Sequence, residues 1–283
     1  MASARRYLLD QHGLRALGTA IAALADDPFP GPPAGFHRGR YHRLRAGDYR
    51  VMYVVDEAVI TIERVDRRSK YLLFRVGEDT MLVHLGMTGS LRAFARVPAR
   101  GTHDHFDLRL DSGTTLRYHD PRRFGALLWL PPPGDAHPLL ARLGPEPFAR
   151  RCDADYLHAA LRGRTTPIKL ALMNNEIIAG VGNIYANESL FRAGIRPTTA
   201  AHRVSRERLQ RLLVHVQATL SDALAKGGST LRDFVDSTGE PGYFQLDYFV
   251  YGREGLGCRI CGSAIKSVRL GGRATNYCPR CQR

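Results

Sequence analysis

The 283-residue sequence has no apolar run approaching the roughly 18 residues of a membrane-spanning helix, so a helical anchor is not expected. Acidic residues are also scarce: 27 Asp and Glu stand against 41 Lys and Arg, for a formal charge of +14 and a pI near 10.0. That imbalance repels itself in a compact state, and a polyanionic partner, nucleic acid foremost, is the simplest reason to carry it. Cysteines number five, and no export signal accompanies them, which disfavours a disulfide-stapled secreted scaffold. The stretch Ala16 to Ala25 imitates a signal peptide, but Leu8, Leu14, Leu17, Ile21 and Leu24 follow helical spacing and Asp10 and His12 interrupt it. An amphipathic helix and a cytoplasmic location are the expectation. Hydrophobic residues at 44% and charged residues at 24% fit a soluble globular chain, long enough for two or more domains.

Pattern divides the chain into four stretches, 1–67, 68–148, 149–235 and 236–283. The first opens with that helix, breaks at Pro28-Phe29-Pro30-Gly31-Pro32-Pro33 and passes through a basic loop. A hairpin is then expected between Tyr49–Val55 and Val59–Val65. The second reads as short strands, Tyr71–Val76, Met81–Leu85, Phe106–Leu110, Thr115–Tyr118 and Ala126–Leu130, closed by the linker Pro131-Pro132-Pro133-Gly134. The third changes to three- and four-residue periodicity over Leu157–Leu161, Ile168–Met173, Ile184–Phe191 and Leu209–Leu224. The last is poor in apolar residues and rich in glycine, and holds four cysteines. A tail with so little core needs a metal to fold.

Cys258-x2-Cys261 and Cys278-x2-Cys281 supply that metal site at the spacing of a four-thiolate zinc ribbon, one structural Zn2+ being the expected cofactor. Two disulfides or an iron–sulfur centre are the alternatives; Cys152 reads as a plain thiol. Between the knuckles, Arg273 is either a solvated hairpin arginine or a basic side chain held at one point on DNA. The run Met173-Asn174-Asn175-Glu176-Ile177-Ile178-Ala179-Gly180-Val181-Gly182-Asn183 ends one helix and begins another. Its exposed N–H groups make a phosphate seat to which Asn183 adds a donor, unless it is an ordinary helical corner. Met87, in His84-Leu85-Gly86-Met87-Thr88-Gly89-Ser90-Leu91, is either core or an exposed wedge for an unstacked base step. His103 suits phosphate contact. In Asp120-Pro121-Arg122-Arg123-Phe124-Gly125, an arginine can fill the gap left by an extruded base while Phe124 wedges beside it.

Together these runs, with Lys70-Tyr71-Leu72-Leu73, GVGNIYANE, GGSTLRDF and GEPGYFQ, resemble the formamidopyrimidine-DNA glycosylase family over about 68–283. The resemblance implies an α+β multidomain fold. A partial β-sandwich occupies 68–148, a helix–two-turn–helix DNA-binding domain 149–235, and a lesion-capping loop with a zinc-ribbon hairpin 236–283. It implies that Lys70 contacts phosphate and assists proton transfer, and that Arg273 contacts phosphate and assists the second elimination. Met87, Arg122 and Phe124 would fill and buckle the duplex, and Ser229–Tyr243 would cover the extruded base. His103, Arg122 and Arg164 would touch DNA, while Lys169 and Asn183 would grip phosphates around the lesion.

The family's chemistry is attack on the sugar C1′ by an N-terminal proline amine followed by glutamate. Here the first residues are Met1-Ala2-Ser3-Ala4-Arg5-Arg6, and the first proline is Pro28. A replacement amine would have to come from Ala2 or a lysine. In that place, Ala23–Pro30, Tyr41–Tyr53 and Glu63–Arg68 resemble the RelE/ParE toxin family, an α+β segment over about 1–67. Arg43, Arg50 and Arg67 would then sit near the RNA-cleaving positions of the interferase branch. The expectation is a monomeric, nucleoid-associated base-excision repair protein that binds oxidised-purine or abasic duplex DNA, with no membrane contact. Two alternatives stay open: a lesion-binding protein without turnover, and an mRNA interferase module, with antitoxin or RNA contact, on a DNA-binding tail.

Overall fold

The computed structural model describes residues 62–110, 112–226 and 248–283, and the backbone of three strands before them. The chain divides into two compact units, Met1–Thr61 and Ile62–Arg283. In the first unit β1 (His37–Arg38), β2 (Tyr41–Ala46) and β3 (Tyr49–Tyr53) form an antiparallel sheet in that order. The expected N-terminal helix and the Ser229–Tyr243 loop lie outside the described residues. The expected hairpin changes partners. β3 pairs with β2, with Arg45 opposite Arg50, whereas β4 (Arg64–Arg68) pairs with β5 (Tyr71–Val76). The tract Tyr-His-Arg-Leu-Arg-Ala of β2 does have a two-residue period, but its charge gives it the appearance of a loop.

The second unit begins as a β-sandwich. One antiparallel sheet runs β10 (Ala126–Leu130), β6 (Asp79–His84), β5, β4; the other runs β7 (Ser90–Phe94), β9 (Thr115–His119), β8 (Asp104–Arg109). Side chains alternate faces along β5, and the sequence uses this. Leu72 and Phe74 join Met81, Val83, Leu91, Phe106 and Tyr118 in a core shared by both sheets. Leu73, facing the other way, packs with Leu82, Leu130 and Leu140, the last on the short helix α1 (Pro138–Ala141). The predicted strands from Tyr71 onward are all present within two residues. β7, hidden by its Arg92, is an addition.

Four helices follow: α2 (Ala154–Leu161), α3 (Ile168–Leu172), α4 (Asn183–Arg192) and α5 (Arg206–Ala225). Asp153 caps α2 by accepting from Tyr156 N at 2.7 Å, and Ser205 caps α5 by accepting from Arg208 N at 3.4 Å. Their apolar stripes meet in one core, in which Leu157, Ile168, Leu172, Ile178, Leu190, Leu209 and Leu212 are fully buried. The N-cap of α4 is Gly182, which has no side chain to offer its first N–H groups.

The C-terminal hairpin pairs β11 (Lys266–Leu270) with β12 (Arg273–Tyr277), Leu270 lying opposite Arg273. Gly271 and Gly272 both have positive φ, +54° and +75°, as a two-residue turn that follows the strand twist requires. A Cβ on Gly271 would lie 3.0 Å from Leu170 Cδ2, so the turn rests directly on α3.

Candidate nucleic-acid interface

Three groups of residues in the second unit bear on its chemistry. The first is a cleft of about 410 Å³ lined by Ser69, Lys70, His84 and Met87 from the sandwich and by Gly180 and Tyr185 from the helices. Lys70 enters it from a tight turn between β4 and β5. Ser69, just before it, adopts φ +55°, a conformation a non-glycine residue holds only when its surroundings impose it. Glu146 imposes it, accepting from Ser69 N at 2.7 Å while its other contacts are Arg68 at 2.7 Å and Arg67 at 2.8 Å.

Lys70 and Lys169 both lie within the field of Arg273, and Lys70 stands at the open end of α4. A Cβ on Gly182 would lie 3.6 Å from Lys70 Nζ, which places that ammonium beside the uncapped helix N-terminus. Lys70 stands open to the cleft, yet the protein around it strips solvent and Arg273 adds repulsion, so its pKa is lowered. Lys169 on α3 is fully buried, and burial, then Arg273, brings its pKa down to about 8. Its ammonium donates to Ala274 O at 2.8 Å and Thr275 Oγ1 at 2.7 Å, pinning β12 to α3. Asn183 starts α4, and its side-chain Oδ1 is buried without a partner. Among the described residues no carboxylate forms an ion pair with Lys70, Lys169 or Arg273. Positive side chains at the positive end of a helix repel one another, and an anion placed between them relieves the repulsion.

The second group is an apolar tip. Met87 is 70% exposed and Phe124 53% exposed, and the Arg122 guanidinium lies 4.6 Å from the Phe124 ring centroid. The two loops touch through backbone, for a Cβ on Gly86 would lie 2.7 Å from Gly125 N. His103 is exposed nearby in sequence, its ring edge-on to His119 at 5.9 Å. Arg164 is exposed on the loop after α2, with Nε donating to Ala160 O at 2.8 Å.

The third is the cysteine cluster. The four sulfurs of Cys258, Cys261, Cys278 and Cys281 lie within 4.8 Å of one another, with Cys258–Cys281 at 3.9 Å and Cys261–Cys278 at 3.4 Å. Tetrahedral zinc with Zn–S near 2.3 Å sets sulfurs about 3.8 Å apart, so the cage fits the ion. Backbone N–H groups of Ile260 and Cys281 point at Cys258 and Cys278 sulfurs, and hydrogen bonds from Ser263 lower the Cys261 pKa to about 6. These thiols are not disulfide-bonded. The donor set holds one structural Zn2+.

Residues 56–127 match the formamidopyrimidine-DNA glycosylase N-terminal domain, 143–235 its H2TH domain, and 255–283 the zinc finger found in FPG and IleRS. The formamidopyrimidine-DNA glycosylase of Ralstonia nicotianae is 54% identical over 242 residues, covering 79% of this chain and 83% of the relative. The chain belongs to the formamidopyrimidine-DNA glycosylase family. A glycosylase of the same name from Burkholderia cenocepacia is 58% identical over 224 residues, 77% of this chain and 81% of its own. Among solved structures, the Lactococcus lactis Fpg in complex with DNA containing an abasic site superposes with TM-score 0.72 at 32% identity. It covers 79% of this chain and 82% of its own. MutM (FPG) of Thermus thermophilus gives TM-score 0.71 at 35% identity over 94% of this chain and 97% of its own. Residues 4–71 match the ParE toxin of the type II toxin-antitoxin system, overlapping the glycosylase match at 56–71.

Further polar residues, not singled out by local sequence pattern, shape the cleft and the seam beside it. His84 opens the run that carries Met87 and lines the cleft; burial, then Lys70, lowers its pKa against the opposing pull of Asp120. Glu188 on α4 is buried and accepts from the N–H groups of Phe249, Val250 and Tyr251 at 2.8, 3.0 and 2.8 Å. Asn187 bridges the same seam, donating to Asn183 O at 2.7 Å and accepting from Asn276 N at 2.8 Å. Asn187 and Glu188 interrupt the stretch of α4 that is buried, and buried polar groups persist only where they are bonded.

Proposed function

We propose that this protein grips oxidised-purine or abasic duplex DNA and serves base-excision repair as a formamidopyrimidine-DNA glycosylase-type protein. The observation that carries the reading is that Lys70 stands beside the start of α4 within the field of Arg273, which also acts on Lys169. Lys70, Asn183 and Arg273 take backbone phosphates flanking the lesion, and Lys169 sets the hairpin that carries Arg273. Met87, Arg122 and Phe124 fill the stack after the damaged nucleotide leaves it. His103 and Arg164 extend the phosphate contacts along the duplex. Lys70 assists proton transfer, and Arg273, held against phosphate, assists the second elimination as a fixed positive charge. The complex forms as a monomer in the cytoplasm, at the nucleoid.

Gel-shift titration of a duplex carrying a tetrahydrofuran abasic analogue, against the same undamaged duplex, tests this. A preference of about tenfold or more for the lesion is expected, and equal affinity overturns the reading. Borohydride trapping on 8-oxoguanine and abasic duplexes reports turnover separately. A covalent adduct identifies an amine that replaces the family's proline, and no adduct defines a lesion-binding protein.

A second reading concerns residues 1–67 and rests on the ParE toxin match and the antiparallel β1–β2–β3 strands. We propose that this segment is RelE/ParE-like and joined to the glycosylase portion near Arg67, with an antitoxin or RNA as its partner. Growth arrest on expression, relieved by Arg50→Ala, supports it; growth unaffected by the segment removes it.

A further inference from the structure

Asp120 follows β9 and is 1% exposed, yet among the described residues no basic side chain pairs with its carboxylate. Its two oxygens instead collect four donors. Oδ1 accepts from Thr88 Oγ1 at 2.8 Å and from Arg122 N at 3.3 Å. Oδ2 accepts from Gly125 N at 2.8 Å and from the Tyr118 hydroxyl at 3.2 Å. Thr88 adjoins Met87, while Arg122 and Gly125 bracket the loop that carries Phe124. A single buried anion therefore joins both halves of the apolar tip.

The chemistry of the donors explains why the residue is an aspartate. All four contacts present hydrogen, and only an ionised carboxylate accepts four hydrogen bonds without offering a donor of its own. Burial opposes ionisation, but the bonds from Gly125, Thr88, Tyr118 and Arg122 outweigh it, and the pKa is lowered overall. The packing leaves no slack. A Cβ on Gly125 would lie 1.7 Å from Tyr118 Oη, and Arg123 within the loop adopts φ +54°. Met87 and Phe124, apolar and open to water, would otherwise collapse onto each other or onto the sheet.

We propose that Asp120 is the positioning residue that locks the Met87 loop and the Arg122–Phe124 loop into one preformed wedge. It sets discrimination between damaged and intact duplex and leaves the phosphate grip untouched. The inference rests on the lesion-binding reading above and deepens it. A wedge ordered before binding avoids the entropy of ordering two loops at the moment of insertion.

The test compares Asp120→Asn, Thr88→Val and Thr88→Ser with the wild type on the tetrahydrofuran duplex and its undamaged counterpart. 2-Aminopurine beside the lesion reports unstacking. Asp120→Asn is nearly isosteric but turns an amide donor toward N–H groups. Its lesion preference is expected to fall about tenfold, with undamaged-duplex affinity kept within about twofold. The unstacking signal falls with it. Thr88→Val shows a smaller loss of the same kind, and Thr88→Ser, which keeps the hydroxyl, retains the wild-type ratio. If Asp120→Asn fails to fold, as its zinc content and melting temperature would show, the two Thr88 variants decide alone. Unchanged preference in Thr88→Val, or equal losses on both duplexes, overturns the inference. A wild type that lacks lesion preference instead refutes the earlier reading.

Discussion

The helical module and the zinc finger that leans on it are stabilised in opposite ways. The helical core is a continuous apolar mass in which Ile168, Ile178, Leu190, Leu209 and Leu212 lose all contact with water. The finger core consists of Phe191, Val250, Cys258, Ile265 and Cys278, and Phe191 is borrowed from α4. The seam between them is made of buried polar groups: Lys169, Asn187, Glu188 and Gln282. Apolar packing is non-directional and tolerates modest change, whereas a metal cage or a buried hydrogen bond depends on every partner. Arg273 thus lies on the part with the sharper geometric requirement. Robustness and positional accuracy are divided between the two regions.

The strongest way to break this comparison is to remove the metal. Binding of structural zinc supplies most of the folding energy of such a finger, on the order of 10 kcal/mol. Chelation, or Cys278→Ala, is expected to unfold the hairpin and reduce duplex affinity by about a hundredfold, while circular dichroism retains the helical signal. Loss of the helices together with the finger would show that the two regions are one cooperative unit. Next in size is Arg273→Ala. It removes one phosphate contact and keeps the cage, so affinity falls about tenfold and the dependence of log K on log salt becomes shallower by about one. Zinc content measured on the same sample should not move.

Legibility differs between the regions for the same physical reason. Four cysteines at knuckle spacing state their chemistry locally, and three- and four-residue apolar spacing marks the helices to within a few residues. The sheet loses its pairing in two places, β2 and β4, because charged residues such as Arg43, Arg45 and Arg67 obscure a two-residue period. Met87 is open to two readings in sequence, core or exposed wedge, and its 70% exposure makes it a surface side chain. The family resemblance implies that Lys169 grips phosphate, and no local pattern shows that its ammonium also bonds to β12. Glu146 and Glu188 escape notice because their partners lie 77 and 62 residues away, as does the link from Asp120 to Thr88 across 32 residues, and no local pattern records such pairings.

Glu188→Gln sharpens the comparison at the seam. The carboxylate accepts from three backbone N–H groups, and the amide would replace one acceptor with donors facing them. A loss of about 1–3 kcal/mol is expected, read as a lower calorimetric midpoint for the finger transition. An unchanged midpoint would mean that the metal alone holds the finger in place.

The smallest effect is the most diagnostic, because it follows a proton. Lys169 has a folded-state pKa of about 8, against about 10.4 for a lysine in an unfolded chain. Between those values the unfolded chain carries a proton that the folded protein has released, so stability rises with pH across that window. Below pH 8 both states are protonated and the full cost of burying the ammonium is borne. The neutral amine still has two N–H groups for Ala274 O and Thr275 Oγ1, so the bonds to β12 survive deprotonation. The wild type is therefore expected to gain on Lys169→Met by about 1 kcal/mol between pH 7 and 9 in thermal unfolding. A DNA phosphate arriving at the same cluster favours the charged form and draws the proton back. Calorimetric binding at pH 8.5, in two buffers of different ionisation enthalpy, should then show proton uptake that Lys169→Met abolishes. Equal heats in both buffers would place the ammonium outside the field of the bound phosphate and leave it with the seam alone.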